Sequence, residues 1–122
     1  MTGASSGIGK ATVIKLVESG YQVFGLARRY DKLVLEHANL SSETLSKESG
    51  KDLYIPIEFD ITKPKIFDDV IAKITSKANE NIIYGLVNNA GYVEPGSIED
   101  ITMNSLRNQF HITIWKCSQS TF

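Results

Sequence analysis

Apolar residues crowd the first third of the chain. Ile8, Ala11, Val13, Ile14, Leu16 and Val17 predict a helix from about Ile8 to Ser19, apolar over much of its surface. Such a helix must be buried against a sheet. Gly20 stops it, and the short run Tyr21–Ala27 reads as a strand. From Arg28 to Gly50 the pattern is less regular: Leu33, Val34, Leu35 and Leu40 suggest a helix, and the polar stretch Ser41–Gly50 an exposed helix or loop. Leu53–Asp60 reads as the next strand, and Pro56, which cannot donate to a ladder, places it at or near an edge. Thr62 as N-cap and Pro64 near the first helical position open a further helix. Its apolar face is Ile66, Phe67, Val70, Ile71 and Ile74.

Ile82–Val87 is another apolar run and reads as a strand. After the loop Tyr92–Thr102, with Pro95 and Gly96, a last helix sets Met103, Leu106, Phe110, Ile114 and Cys117 on one face. Turn, helix and strand alternate in the order of a parallel α/β fold. There is no internal repeat and no low-complexity tract.

The first turn carries chemistry. Thr2-Gly3-Ala4-Ser5-Ser6-Gly7-Ile8-Gly9 is glycine-rich and runs straight into a helix, with only Met1 before it. A helix N-terminus has unpaired N–H groups and the positive end of the helix dipole, so an anion sits well there. Gly3, Gly7 and Gly9 let the backbone turn tightly and leave room for phosphates, and the hydroxyls of Thr2, Ser5 and Ser6 add donors. In a dinucleotide fingerprint an acid near the end of the second strand binds the ribose 2′-OH. Here Ala27 is followed by Arg28 and Arg29, and an arginine suits a 2′-phosphate. Arg28 is taken as that contact, and Arg29 as a solvated residue.

Asn88-Asn89-Ala90-Gly91 closes the Ile82–Val87 run. With this second motif the chain resembles the N-terminal half of the classical short-chain dehydrogenase/reductase family, from Thr2 to about Trp115. Thr2–Gly9 matches that family's cofactor turn, Asn88–Gly91 its Asn-Asn-Ala-Gly motif, and Asp60-Ile61-Thr62 the end of its third strand. The resemblance implies a partial Rossmann-like, doubly wound parallel sheet. It leaves Asp60 open between an adenine contact and an ordinary helix-entry acid. It gives Asn88 a structural role between the central strands, and lets the cofactor approach Ala90 and Gly91. The implied cofactor is NADP, with NAD less favoured. The implied contacts are Thr2, Gly3, Ser5, Ser6, Gly7, Ile8, Gly9, Arg28, Asp60, Ile61, Asn88, Ala90 and Gly91.

In the family's strand order the first strand is central, between the second and the fourth. Residues 1–122 are therefore expected to form a truncated NAD(P)-binding Rossmann-like domain, without its first strand and its C-terminal half. The second and fourth strands would then each expose an edge. The family's catalysis uses a Ser and a Tyr-x-x-x-Lys pair. Tyr21, Tyr30, Tyr54, Tyr84 and Tyr92 are followed four positions later by Gly25, Val34, Glu58, Asn88 and Gly96, so none has the lysine. Thr113 stands where the family carries a catalytic Asn, and Lys116 where it carries a small residue. No catalytic residue is assigned.

The remaining composition narrows the alternatives. Lys and Arg number 13 against 14 Asp and Glu, so nothing suggests a nucleic-acid surface. Cys117 is the one cysteine, which excludes a disulfide framework and suits a reducing compartment. It is expected in the core. His37 and His111 have no ligand spacing around them, so no metal site is assigned. No apolar stretch is long enough to span a membrane, and a cytoplasmic location is the simplest. The expected function is part of an NADP(H)-dependent oxidoreductase acting on an alcohol or carbonyl. The alternative is a non-enzymatic remnant that binds a dinucleotide or docks on a partner. By analogy the last helix, with Trp115 as a contact, would build a homo-oligomer.

Overall fold

The computed structural model describes residues 1–42, 52–78, 82–97 and 99–118, with the backbone alone for 42, 64 and 113–118. Residues 43–50 of the polar stretch and the side chains of Thr113, Ile114, Trp115, Lys116 and Cys117 therefore lie outside the described residues. Helix α1 spans Gly7–Glu18, strand β1 Val23–Ala27, helix α2 Tyr30–Ser42 and strand β2 Tyr54–Glu58. A 3-10 turn, Pro64–Ile66, leads into α3, Phe67–Lys77, and α4 covers Met103–Ser118.

Strands β1 and β2 pair in parallel, with Val23 opposite Tyr54 and Ala27 opposite Glu58. Alternation along them sends side chains to two cores. Val23, Ala27 and Tyr54 pack with Val13 and Val17 of α1 and with Leu33 and Leu40 of α2. Leu26, Ile55, Ile57 and Phe59 pack with Val70 of α3, joined by Phe67 and Ile74. The sheet is thus covered on both faces, the doubly wound arrangement that the alternating order predicts. Between α1 and α2, Lys10 Nζ lies 2.6 Å from a carboxylate oxygen of the buried Glu36.

Met1 and Thr2 lie between β1 and residue 87. Thr2 bridges in parallel to Leu26. The Met1 nitrogen donates to the Phe24 carbonyl at 2.8 Å, and the Leu26 N–H donates to the Met1 carbonyl at 2.9 Å. On the other side the Thr2 N–H donates to the Val87 carbonyl at 3.0 Å. The order β2, β1, Met1–Thr2, 82–87 is the order expected of the fold, and the inner edge of β1 is partly covered rather than open.

Two expectations fail. Ile82–Val87 forms no strand, and Ile82, Ile83, Tyr84, Leu86 and Val87 are all exposed. An extended segment becomes a strand only with a ladder beside it, and Thr2 is too short a neighbour to supply one. Thr62 does not cap α3. Its hydroxyl donates to Asp60 Oδ1 at 2.7 Å, and the 3-10 turn separates it from the helix. On α4, Met103, Leu106 and Phe110 are exposed, so their apolar face has no cover among the described residues.

Pro56 sits in the middle of β2, opposite Gly25. The Phe59 N–H donates to the Ala27 carbonyl and the Leu53 carbonyl accepts from Val23, so the odd positions of β2 face β1. The missing N–H of Pro56 therefore points away from the sheet, where its absence breaks no bond.

Tyr54 is buried and its hydroxyl has no hydrogen-bond partner among the described residues. Its ring lies over Gly25, where a Cβ would run into the phenol. Burial, with the Glu36 carboxylate nearby, pushes the Tyr54 phenol far above its ordinary range. We expect Tyr54→Phe to leave urea stability unchanged within about 1 kcal/mol or to raise it, because an unpaired buried hydroxyl is removed. Gly25→Ala is expected to cost about 1–3 kcal/mol by overpacking. Should Tyr54→Phe cost more than Gly25→Ala, the hydroxyl has a partner and this account of the site is wrong.

Candidate functional site

The glycine turn joins the end of Met1–Thr2 to the N-terminus of α1. A Cβ on Gly3 would lie 2.8 Å from Asn89 Nδ2 and 2.9 Å from the Ala90 Cα. One on Gly9 would strike the Gly3 carbonyl oxygen and lie 2.6 Å from Asn89 Nδ2. These two glycines are small because residues 89–90 pack on them. Only Gly7 faces open space, with a left-handed φ of 54°. The turn pattern alone gives all three one role, whereas the packing separates Gly7 from Gly3 and Gly9.

Asn89 supplies the ties across the sheet. Its N–H and that of Ala90 donate to Thr2 Oγ1 at 3.1 and 3.0 Å. Its side-chain nitrogen is 3.3 Å from the carbonyl oxygens of both Thr2 and Gly3. The structural role expected of Asn88 is thus carried by its neighbour, and Asn88 stands outside the cleft described next.

These elements meet around an open cleft of about 310 Å³. Thr2, Gly3, Ser5, Ser6, Ile8 and Gly9 form one wall, and Ala90 and Gly91 stand with Asn89 on another. The ends of β1 and β2 bring Ala27, Arg28, Arg29, Asp60 and Ile61 to its rim. Of the residues expected at the site, Gly7 and Asn88 alone do not line it. Ile8 is 78% exposed, an unusual position for an apolar side chain in the first turn of a helix. Sequence reasoning missed Asn89, Tyr92 and Ile112. For Asn89 the signal was present, since either asparagine of the pair could face Thr2.

Charge is concentrated at the strand ends. Arg28 has no hydrogen bond or ion pair among the described residues and faces the cleft. Arg29 is exposed, as expected, and is also hydrogen-bonded to the glycine turn. Its Nη2 lies 3.2 Å from Ser5 Oγ and 2.7 Å from Ser6 Oγ. Asp60 Oδ1 accepts from the Thr62 N–H at 3.0 Å and from its hydroxyl. Burial works against ionisation of Asp60, but the Thr62 donors, with Arg28 and Lys63 nearby, outweigh it and hold the carboxyl below its ordinary range.

Beyond Gly91 the chain is tied to α4. Thr102 Oγ1 accepts from the Ser105 N–H at 3.1 Å, a side-chain cap on the first turn. The Tyr92 hydroxyl donates to Glu94 Oε2 at 3.2 Å, and the buried Ser105 hydroxyl donates to the same oxygen. The Glu94 carboxylate raises the Tyr92 phenol above its ordinary range. No group of three or more His, Cys, Asp or Glu among the described residues could hold a metal ion. No helix among them is long and apolar enough to cross a membrane.

A glycine turn on a helix N-terminus, at the carboxyl ends of parallel strands, is the arrangement of dinucleotide-binding α/β folds. Residues 1–117 match the family model of short chain dehydrogenase, and the chain belongs to that family. It is 30% identical over 115 residues to the probable short-chain type dehydrogenase/reductase VdlC of Helicobacter pylori, covering 94% of this chain and 37% of that protein. A short-chain dehydrogenase from Streptomyces avermitilis is similar at 30% identity with a TM-score of 0.77, over 98% of this chain and 40% of that one. A short-chain dehydrogenase from Sphingobium yanoikuyae in complex with NADPH matches at 25% identity with a TM-score of 0.75, over 98% of this chain and 43% of that one. The chain therefore spans about two fifths of the length of these relatives.

The Asp60–Thr62 turn has a pH signature. Its folded carboxyl titrates below the unfolded one, so its stabilisation is complete above the unfolded value of about 4 and is lost as the pH falls through the folded value. Carbon-detected titration should place Asp60 below an ordinary aspartate. Asp60→Asn should remove its share of the acid sensitivity of urea unfolding. An Asp60 that titrates at or above the usual value would refute this account of the turn.

Proposed function

We propose that residues 1–122 form the cofactor-binding part of an NADP(H)-dependent oxidoreductase acting on an alcohol or carbonyl. The observation that carries this reading is the meeting of the glycine turn, Arg28, Asp60-Ile61 and Ala90-Gly91 around one cleft. The residues present fit a dinucleotide. Open space above Gly7 leaves the first turn of α1 accessible to a pyrophosphate. Arg28 stands where an NAD-binding site carries an acid, and its guanidinium suits a 2′-phosphate. Asp60 and Ile61, one strand away, would border the adenine. Ala90 and Gly91 have small side chains or none, so the cofactor can lie close to their backbone. The NADPH complex of the Sphingobium relative agrees with this preference. When bound, the nicotinamide supplies or accepts the hydride. This chain's own residues bind and orient it.

The cytosol is the compartment we propose. The exposed Met103, Leu106 and Phe110 favour association of copies through α4. A second reading, a dinucleotide-binding protein without catalysis, is favoured by one observation. None of the five tyrosines has a lysine four positions on.

Calorimetry with both cofactors tests the first reading. We expect NADP⁺ to bind more tightly than NAD⁺. Arg28→Ala should remove about tenfold or more of that preference, the worth of a charge-assisted contact at about 1.5–3 kcal/mol. Equal affinities that the substitution leaves unchanged would refute it. NADPH oxidation by this chain with a panel of aldehydes, ketones and diketones is expected to stay at the uncatalysed rate. Turnover above it would show that a proton donor other than the family's Tyr-Lys pair is at work.

A further inference from the structure

Glu36 breaks the pattern of its helix. Leu33, Glu36 and Leu40 lie three and four residues apart on one face of α2, and all three are buried. Leu33 and Leu40 belong to the core that α1 and the sheet share. A carboxylate in such a row is costly unless paired, and a buried pair adds no more stability than apolar side chains of similar size. The charge that meets Glu36 is Lys10 Nζ, at 2.6 Å, from the first turn of α1.

The surface of α1 gives such a pair something to decide. Lys10, Val13 and Val17 share a face, and both valines are buried. Ile8 is left outside and lines the cleft. At about 3.6 residues per turn, Ile8, Thr12 and Leu16 form a second row beside Val13, and that row carries no charge. A turn of α1 by about 60° would bring the second row toward the sheet with Val13 still inside. Ile8 would then leave the cleft, Val17 would move outward, and Lys10 would swing away from Glu36.

We propose that Glu36 is a positioning residue whose pair with Lys10 selects the seating of α1, keeping Val17 in the core and Ile8 at the cleft. The choice is made in the ligand-free chain and holds for any ligand of the cleft.

The test uses the full chain and Lys10→Met/Glu36→Met, which removes both charges and keeps the volume. Methyl relaxation by a soluble paramagnetic probe reads the seating. In the original chain Ile8 should relax strongly and Val17 weakly. In the double variant two seatings of similar energy should share the population, so the effect at Ile8 falls about twofold while that at Val17 rises. Urea stability should be kept or raised. The reversed pair, Lys10→Glu/Glu36→Lys, should restore the original contrast.

Unchanged relaxation at both methyls would overturn the proposal and leave the rotation of α1 to the packing of Gly9 on the Gly3 carbonyl. A rise at Val17 without a fall at Ile8 would mean general loosening of the helix and would overturn it too. So would a reversed pair that restores nothing. A double variant that does not fold would overturn it as well, because the pair would then hold the fold rather than choose a face.

Discussion

Thr2 is 6% exposed, and every polar group it has is used. Its N–H goes to the Val87 carbonyl, its carbonyl accepts from the Asn89 side chain, and its hydroxyl accepts from the Asn89 and Ala90 amides. Through the bridge to Leu26 the same residue is also joined to β1. Residues 87 and 88 positions apart in the sequence are thus held at one point. Buried polar groups are costly when unpaired, so a residue with four such bonds leaves little freedom for what surrounds it. The glycine turn begins at Thr2, and residues 89–91 end against it. The cleft is the space these two segments enclose with the strand ends.

The polarity of that cleft follows from where the chain puts its termini of structure. The N-terminus of α1 supplies N–H groups, and the C-terminal ends of β1 and β2 supply Arg28, Arg29 and Asp60. Arg28 and the carboxylate of Asp60 are near enough for the cation to favour ionisation of the acid. Yet Asp60 Oδ1 already accepts from Thr62 twice. The acid is held in place by its own loop, so the arginine is not consumed in neutralising it and keeps its donors for the cleft.

Much of this was legible in the sequence, and the exceptions have physical causes. The helix over Ile8–Ser19 and the strand over Tyr21–Ala27 were readable because local apolar spacing reports burial directly. Pro56 announced an edge strand because its ring removes a donor. Ile82–Val87 looked like a strand on the same evidence, but a ladder depends on a neighbour that no local pattern describes. Thr62 had the right chemistry for a cap, and Asp60, two residues back, competed for its hydroxyl and won. The choice between Asn88 and Asn89 turns on which side chain faces Thr2. Arg29 is exposed at the strand end, and its contact with Ser5 and Ser6 appears only once the turn is folded over β1.

Pro56 also acts at the outer edge of the sheet. The outward edge of β2 lacks an N–H at its centre, so an extended chain docking there would find one donor missing and gain fewer bonds. The other margin, along residues 82–87, has no such gap and carries exposed isoleucine and leucine side chains. A single imino acid thus makes the free edge of β2 a poor template for another strand.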